Sequence, residues 1–396
     1  MNRCVVALIA ACSWTVTGSA TLHAQARWLS GYFQTAPLVS ASTPLTSSTA
    51  ATFSRFRLSV DPSAGPFSVE AAYEHAATLR REAVTPGFGL GGVQSGGEWF
   101  NLQETITAQE HAVWQHRFDR LNVGWSPTSA LDVRVGRQAV SWGTTLFLTP
   151  ADPFSPFIPS DPFRQFRAGV DAVRFRLYPG PLSSVDVVVR PSRTEIGEEV
   201  TALGRGLTTW RNLELSGWGG TLYGDGAAAG AVAGSIGAWA VRAEAVIREV
   251  GENLVGRAAV GLDRAFFLAD GRAVSVGSEY QRDGLGAAAP EDYHDILQSH
   301  AFRRGELQVL GRDELAANAS IQLNPLWTLA GLVLWNLNDN SRLVAPSLAY
   351  SAGDETAISG GVYFGFGDDE ITLTRPLPSE YGLAAATGFV SVSWFF

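Results

Sequence analysis

The 396-residue chain contains no lysine, one methionine and two cysteines. The missing lysine excludes no function, because arginine serves equally well at a solvated surface. Cys4 and Cys12 both precede Ala26, so a chain cleaved after Ala26 carries no disulfide. Beyond the N-terminal region no run of 18 apolar residues occurs, which excludes a helical membrane protein. The net charge of −9 argues against nucleic acid as a partner.

The N-terminus has the pattern of a cleaved export signal. Met1-Asn2-Arg3 is a short positive region, and residues 4–11 form an apolar core too short to span a bilayer. Ala24-Gln25-Ala26 is a small-residue cleavage site. Ile9-Ala10-Ala11-Cys12 leaves acylation at Cys12 as an alternative. We expect residues 1–26 to be removed and residues 27–396 to form one domain.

The remaining chain alternates between apolar and polar side chains with a period of two, as in Phe56 and Leu58 against Arg55 and Arg57. This period predicts strands whose two faces meet different solvents. The prediction is an all-β fold: a transmembrane antiparallel up-and-down β-barrel of about 16 strands, with 14 to 18 as the range. The sixteen predicted strands are 27–35, 52–61, 66–76, 110–126, 129–138, 169–178, 182–191, 209–222, 235–249, 253–267, 271–282, 312–324, 327–338, 341–351, 355–367 and 387–396.

The links between these strands differ in length by parity. Short turns follow even-numbered strands, as at Ser126-Pro127-Thr128 and Pro179-Gly180-Pro181. Every long link follows an odd-numbered strand. This asymmetry predicts short periplasmic turns and long extracellular loops. The long links are 36–51, 77–109, 139–168, 192–208, 283–311 and 368–386.

The C-terminal segment carries Val390, Val392, Trp394 and Phe396 on one face and serines on the other. It resembles the closing strand of a bacterial outer-membrane β-barrel, although an edge strand of a soluble sheet is the alternative. The resemblance implies that these four residues form a signal read by the barrel-assembly machinery. It also implies a location in the Gram-negative outer membrane, among lipid and lipopolysaccharide.

A barrel of this size keeps a water-filled lumen. Its inner face carries arginines interleaved with acids. Two interpretations stay open: a cationic lining that favours small polar or anionic solutes, or cross-strand ion pairs that only keep the lumen hydrated. The candidate lumen residues are Arg55, Arg57, Arg134, Arg174, Arg176, Arg190 and Arg242, with Glu70, Glu74, Asp132, Asp186 and Glu244 between them.

Residues 139–168 contain five prolines and two Asp-Pro-Phe triplets, at Asp152 and Asp161. Proline removes backbone donors, and the phenylalanines avoid water, so the loop should fold inward as a constriction or pack on the rim. We consider as its candidate residues Arg137, Gln138, Trp142, Asp152, Asp161, Arg164 and Arg167.

Gly136-Arg137-Gln138 followed by Ser141-Trp142-Gly143 resembles a strand-end motif of alginate-export-type and related porin-like barrels. The resemblance implies that Arg137 and Gln138 hold the loop or contact solute. The chain lacks the length and the denser arginine lining of the alginate exporters, so alginate is not the expected solute.

His111 with His116, and the segment Asp292-Tyr293-His294-Asp295, lack the spacing of outer-membrane lipases or proteases. We therefore predict no catalytic residue, metal or cofactor. The predicted function is a porin-like channel. The alternatives are an occluded structural or assembly barrel, and a secreted soluble β protein.

Overall fold

The computed structural model describes residues 28–81, 97–154, 161, 163, 166–194, 196–373 and 375–396. Within them 20 strands pair in one antiparallel sheet, and 18 of these form a closed ring. The predicted all-β antiparallel barrel is confirmed, whereas the predicted signal, 1–26, lies outside the described residues. The ring strands are β1 (Leu29–Ser40), β2 (Thr49–Val60), β3 (Phe67–Arg80), β4 (Ala112–Thr128), β5 (Leu131–Gln138), β6 (Val170–Gly180), β7 (Ser183–Thr194), β8 (Gly197–Trp210), β9 (Leu213–Leu222), β10 (Asp225–Ile236), β11 (Trp239–Val250), β12 (Asn253–Phe267), β13 (Ala273–Asp283), β14 (Asp313–Asn324), β15 (Trp327–Asn336), β16 (Arg342–Gly353), β17 (Thr356–Phe366) and β18 (Thr387–Phe395).

Within the described residues, five shorter elements lie outside the ring. Strand Ser63–Ala64 pairs with β3, and strand Gln103–Gln109 pairs with β4. The link from β13 to β14 contains α1 (Tyr293–Gln298) and α2 (His300–Arg303), preceded by a 3-10 turn at Pro290–Asp292. No helix in the described part of the chain is long and apolar enough to cross a membrane.

The ring closes because β1 pairs with both β2 and β18. The Gly31 N–H donates to the Phe396 carbonyl at 2.9 Å, and the Phe396 N–H donates to the Gly31 carbonyl at 3.0 Å. A Cβ on Gly31 would lie 2.5 Å from the Arg57 carbonyl oxygen, so a side chain does not fit at this seam. Closure leaves the ring without an unpaired edge.

The barrel has 18 strands, the upper end of the predicted range of 14 to 18 and two more than the predicted sixteen. Residues 197–208, predicted as part of the long link 192–208, belong to β8, and most of the Gly- and Ala-rich β10 lies between the predicted strands 209–222 and 235–249. β8 directs Leu203 inward and leaves Gly204 on the outer face. The hydropathy contrast on which a period-two prediction depends is therefore inverted in β8 and nearly absent in β10.

The two ends of the barrel differ in the length of their links. The links that follow even-numbered strands are all short, and we call their side the short-turn end. The long links 41–48, 81–111, 139–169, 284–312 and 367–386 all lie at the other side, the long-loop end. That end also has tight turns, such as the two residues between β9 and β10. The parity prediction therefore holds for these five links and fails at 192–208.

The barrel carries apolar side chains outside and charged side chains inside. Val123, Val135 and Val260 on the outer face are 52–53% exposed, whereas Arg57 and Glu74 on the inner face are each 4% exposed. A soluble protein has the reverse distribution. An apolar outer band around a polar interior is the distribution of a barrel embedded in lipid.

An aromatic girdle surrounds the outer face near the short-turn end. Trp327 and Tyr350, on neighbouring strands, stack there with ring centroids 4.6 Å apart. Tyrosine and tryptophan favour the interface between lipid and water, because one part of each ring system is apolar and another is wet. The girdle therefore marks one membrane boundary. Its members are Trp125, Trp210, Trp239, Trp327, Tyr350 and Trp394.

Candidate functional site

The described part of the link between β5 and β6 (139–154, 161, 163 and 166–169) crosses the interior of the barrel, and we call this link the crossing loop. Phe163 packs on Phe53 of β2 and on Phe389 of β18. The Thr144 N–H donates to Glu244 of β11 at 2.6 Å. In a ring of 18 strands, β2 and β11 are nine positions apart and face each other. The loop therefore reaches opposite walls.

The two Asp-Pro-Phe triplets make the same local contact. The Phe154 N–H donates to the Asp152 carboxylate at 3.2 Å, and the Phe163 N–H donates to the Asp161 carboxylate at 2.9 Å. This is the Asx arrangement, in which a side chain caps the backbone two residues on. Each turn directs its phenylalanine ring into the wall, where the ring is buried to 1–2% exposure.

Two wall arginines hold the same two phenylalanines by their backbone. Arg190 of β7 donates to the Phe154 carbonyl at 3.3 Å, and Arg55 of β2 donates to the Phe163 carbonyl at 3.0 Å. Arg55 and Arg190, predicted as lumen residues, thus point inward and bind the crossing loop. Each triplet is anchored by an apolar ring and a charge-assisted hydrogen bond.

Three apolar clusters lie inside the ring, and each contains side chains of the crossing loop. Trp142 and Phe154 pack edge to face, with centroids 4.9 Å apart, against β7, β8, β9 and β11. Leu148 packs on β14, β15 and β16, and Phe163 packs on β1, β2 and β18. The apolar side chains of the loop therefore replace water in the core of the barrel.

Two carboxylates of the opposite wall bind the loop backbone. Glu244 accepts N–H groups from Thr144, Thr145 and Ala151 at 2.6, 3.2 and 3.0 Å. Glu279 of β13 accepts those of residues 146, 147 and 148 at 2.5, 2.8 and 3.0 Å. Both side chains are 3% exposed. All six backbone N–H groups of residues 144–148 and 151 are thus satisfied by a wall carboxylate.

The remaining predicted loop residues also contact protein. Asp152 accepts hydrogen bonds from Ser141 at 2.8 Å and from Arg167 at 2.7 Å. The Trp142 indole N–H donates to Asp186 at 3.2 Å. Arg164 lies outside the described residues. The structure therefore gathers Trp142, Asp152 and Arg167 in one part of the loop.

Gly136-Arg137-Gln138 anchors a different loop from the one predicted. Arg137, 1% exposed, binds Asp171 through two hydrogen bonds of 2.9 and 2.8 Å and pairs with Glu98 at 2.8 Å. Gln138 donates to the Ala172 carbonyl at 3.1 Å. Gly136 has φ +119°, and a Cβ there would lie 2.3 Å from a backbone oxygen. The motif thus ties the 97–102 segment to the barrel, and its described contacts are all to protein.

Among the other predicted lumen arginines, four bind carboxylates. Arg57 pairs with Glu74 and with Asp119, Arg134 lies near Asp132 and Glu70, Arg174 pairs with Asp186, and Arg242 pairs with Asp263. Arg176 instead donates to the Tyr178 hydroxyl at 2.9 Å. The inner face therefore combines cross-strand ion pairs with arginines engaged by neutral partners.

Several inward charges escaped the sequence prediction. Arg205 lies on β8, which was predicted as a loop, and its Nε has no hydrogen-bond partner within the described residues. Arg248, Arg257 and Arg304 line a small recess together with Glu306. Arg248 and Arg257 lie on predicted strands, and Arg304 and Glu306 lie in a predicted loop. The sequence does not show which side chains of other elements will lie beside them. In the part of the chain that the structure describes, no three His, Cys, Asp or Glu side chains group as metal ligands.

The three long loops inside the barrel are linked to one another. Gln308 accepts the Thr149 N–H at 2.6 Å and donates to the Phe147 carbonyl at 2.7 Å, which joins 284–312 to the crossing loop. Glu380, in loop 367–386, accepts the Leu310 and Gly311 N–H groups at 2.7 and 3.0 Å. Burial raises the pKa of Glu380 to about 7, against the opposing effect of these N–H donors.

Glu380 should make the stability of the loops depend on pH. Its pKa rises from 4.5 to about 7 on folding, so its contribution to stability is complete below pH 4.5 and is lost as the pH rises through about 7. Glu380→Gln should remove this loss. We expect the heat resistance of the wild type to fall between pH 4.5 and 8 and that of the variant to stay constant over this range, whatever its absolute level. The measurement is the midpoint of the heat-induced gel-mobility shift in detergent.

Glu370→Gln, an exposed acid in the same loop, is the matched control and should follow the wild type at every pH. A Glu380→Gln curve parallel to the wild-type curve would contradict the predicted linkage.

No protein-family model matches the sequence, and no curated protein matches it. Solved structures do share the fold. OccAB1 of Acinetobacter baumannii is 12% identical, with 93% of this chain and 96% of that chain covered and a TM-score of 0.55. OpdQ of Pseudomonas aeruginosa is 9% identical, covers 93% and 98%, and has a TM-score of 0.54. A BenF-like porin of Pseudomonas fluorescens Pf-5 is 10% identical, covers 93% and 98%, and has a TM-score of 0.52. The chain therefore has the closed antiparallel fold of outer-membrane porin barrels.

Proposed function

We propose that this protein is a channel of the Gram-negative outer membrane that passes small polar or anionic solutes, with the crossing loop as its constriction. One observation carries the proposal: a loop held on opposite walls narrows a barrel that is charged inside and apolar outside. Water and solute then have to pass beside the loop. The loop sets the size of the passage, and the side chains around it set its charge.

Arginines that lack a carboxylate partner determine the sign of the solute. An ion-paired arginine contributes little net electrostatic field, because the charge of its partner offsets its own. Asp186 offsets the charge of Arg174 in this way. Arg205 is partly exposed on the inner face and forms no ion pair within the described residues, so its guanidinium can meet an anion in the passage. A guanidinium binds carboxylates well because its donors form a planar fork. We therefore assign anion preference to Arg205 and Arg176 rather than to the whole arginine set.

Planar-bilayer recordings of the purified protein test the channel. We expect stepwise conductance, and in a salt gradient a reversal potential that favours anions. Arg205→Glu should shift that potential toward cations, because it reverses a charge at the inner wall. Arg272→Gln, in the exposed turn between β12 and β13, is the control and should leave the potential unchanged. An Arg205→Glu potential equal to the wild type would reject the assignment.

An occluded barrel without open-pore activity is the second candidate. The three apolar clusters inside the ring favour it, because they fill space that an open lumen would leave to water. Folded, heat-modifiable protein that gives no conductance in planar bilayers would support this candidate. A secreted soluble β protein is disfavoured by the apolar outer face.

The location and the assembly route rest on the same proposal. Val390, Val392 and Trp394 are 38–51% exposed on the outer face, where they would meet lipid. Phe396 stacks on Phe56 at 6.2 Å and packs on Trp394 at 5.2 Å. We propose that this seam is recognised by the barrel-assembly machinery, and that lipopolysaccharide surrounds the long-loop end.

A further inference from the structure

The backbone of residues 144–151 has the arrangement of a carboxylate-binding site. Six N–H groups converge on two carboxylates, three on Glu244 and three on Glu279, at 2.5–3.2 Å. Successive N–H groups that point to one side form a concave anion-binding surface. In this protein the two anions are side chains of the wall strands.

We propose that Glu244 and Glu279 are positioning residues that hold the crossing loop as internal carboxylate ligands, and that without them the same N–H groups bind a small added carboxylate. This inference rests on the proposed channel function and deepens it, because it names the contacts that keep the constriction in place.

The position of the two glutamates supports this role. The triplet anchors at Phe154 and Phe163 bind the walls of β7 and β2, whereas Glu244 and Glu279 bind the far wall at β11 and β13. No other acceptor for the N–H groups of residues 144, 146 and 148 occurs among the described contacts. Loss of the carboxylates would leave these donors buried without partners or turned toward water, and turning toward water releases the loop from the far wall.

The arrangement of oxygens also distinguishes a carboxylate from an amide. Glu279 uses one oxygen for the Leu146 N–H and the other for the Phe147 and Leu148 N–H groups. Glutamine would place an NH2 group against at least one of these donors. Glu279→Gln should therefore loosen the loop even though it keeps the size of the side chain.

Chemical rescue tests the proposal. Glu244→Ala and Glu279→Ala each remove a methylene and a carboxylate, and acetate supplies the equivalent atoms. In chloride, we expect each variant to lose the single wild-type conductance level and to show larger, fluctuating levels. Acetate at matched ionic strength should restore the wild-type level. Wild-type protein recorded in the same acetate solution gives the reference.

A spin label provides a readout that does not depend on conduction. Residues 13–396 contain no cysteine, so in protein produced without residues 1–26 Leu146→Cys creates a single labelling site on the loop, at a position that is 47% exposed. The label should be more mobile in the two alanine variants and should return to wild-type mobility in acetate. Glu249→Ala, on β11 but bound to Gly226 and not to the loop, is the control and should leave the mobility unchanged.

The outcomes separate the two proposals. If the wild type gives no conductance but acetate restores the label mobility of the alanine variants, the proposed channel function is rejected and the carboxylate-binding role of the loop is supported. A conducting wild type whose alanine variants show unchanged conductance and mobility would reject the role of the glutamates. If the label mobility of the alanine variants is increased equally in chloride and in acetate, the added carboxylate is not a ligand of the loop.

Discussion

Deletion of residues 150–163 should raise the single-channel conductance well above that of the wild type. The deletion removes both Asp-Pro-Phe turns, the rings of Phe154 and Phe163, and the carbonyls that bind Arg190 and Arg55. One inner apolar cluster then loses Phe163, another loses Ala151 and Phe154, and water occupies their volume. Conductance increases with the cross-section of the water column, so the change should exceed that of any single substitution.

A shorter deletion elsewhere at the long-loop end is the control. Residues 42–47 lie in the link between β1 and β2 at the long-loop end, where most side chains are exposed. Their removal should leave the conductance at the wild-type value. If the deletion of 150–163 gives wild-type conductance as well, the crossing loop does not limit the passage.

The second large effect concerns a buried charge cluster on β2, β3 and β4. Asp119, 3% exposed, binds Arg57 at 2.7 Å and Arg120 at 2.7 Å, and it lies 3.7 Å from Arg117. Asp119→Ala leaves Arg57 and Arg117 to share Glu74, and leaves Arg120 with Glu70 at 3.9 Å as its near acid. Removal of one partner from a buried ion pair typically costs about 3–5 kcal/mol. We expect a loss of this order in the free energy of unfolding, measured by urea titration of refolded protein in detergent.

An exposed ion pair of the same barrel shows what burial contributes. Arg193 and Glu198 pair at 2.8 Å with side chains that are 55% and 58% exposed. Glu198→Ala should cost less than about 1 kcal/mol, as surface pairs do. Asp119→Asn, which keeps the shape but removes the charge, should fall between the two. Equal losses for Asp119→Ala and Glu198→Ala would show that the inner face is as well solvated as the outer rim.

The sequence predicts the ring where the two faces of a strand differ in polarity. β2 has arginines inward and Phe56 with Leu58 outward, and its position follows from that contrast. β10 has alanine or glycine at most positions of both faces, so neither period nor polarity identifies it. Its tight turn, with positive φ at Tyr223 and Gly224, is the remaining local signal. Small residues at these positions meet a packing requirement of the whole fold, which the local sequence does not reveal.

The candidate site likewise has features that the sequence predicts and features that it does not. The repeated Asp-Pro-Phe triplet could be identified as a rigid, apolar loop, because proline and phenylalanine act through their own chemistry. Its partners could not. Glu279 is separated from Leu146 by 133 residues, and their contact depends on the number of strands between β5 and β13. A prediction that lacks two strands places this glutamate on the wrong part of the wall.

The seam between β1 and β18 has a consequence for biogenesis. Gln34 donates to Ser391 across it at 3.2 Å, and 357 positions of chain separate the two residues. Contacts this distant along the polypeptide are slow to form, because the ends of a very long segment have to meet. Until the C-terminus emerges, the growing sheet has two unsatisfied borders that can recruit other chains. We therefore expect a product that lacks its final residues to aggregate, because its unpaired strand borders stay open.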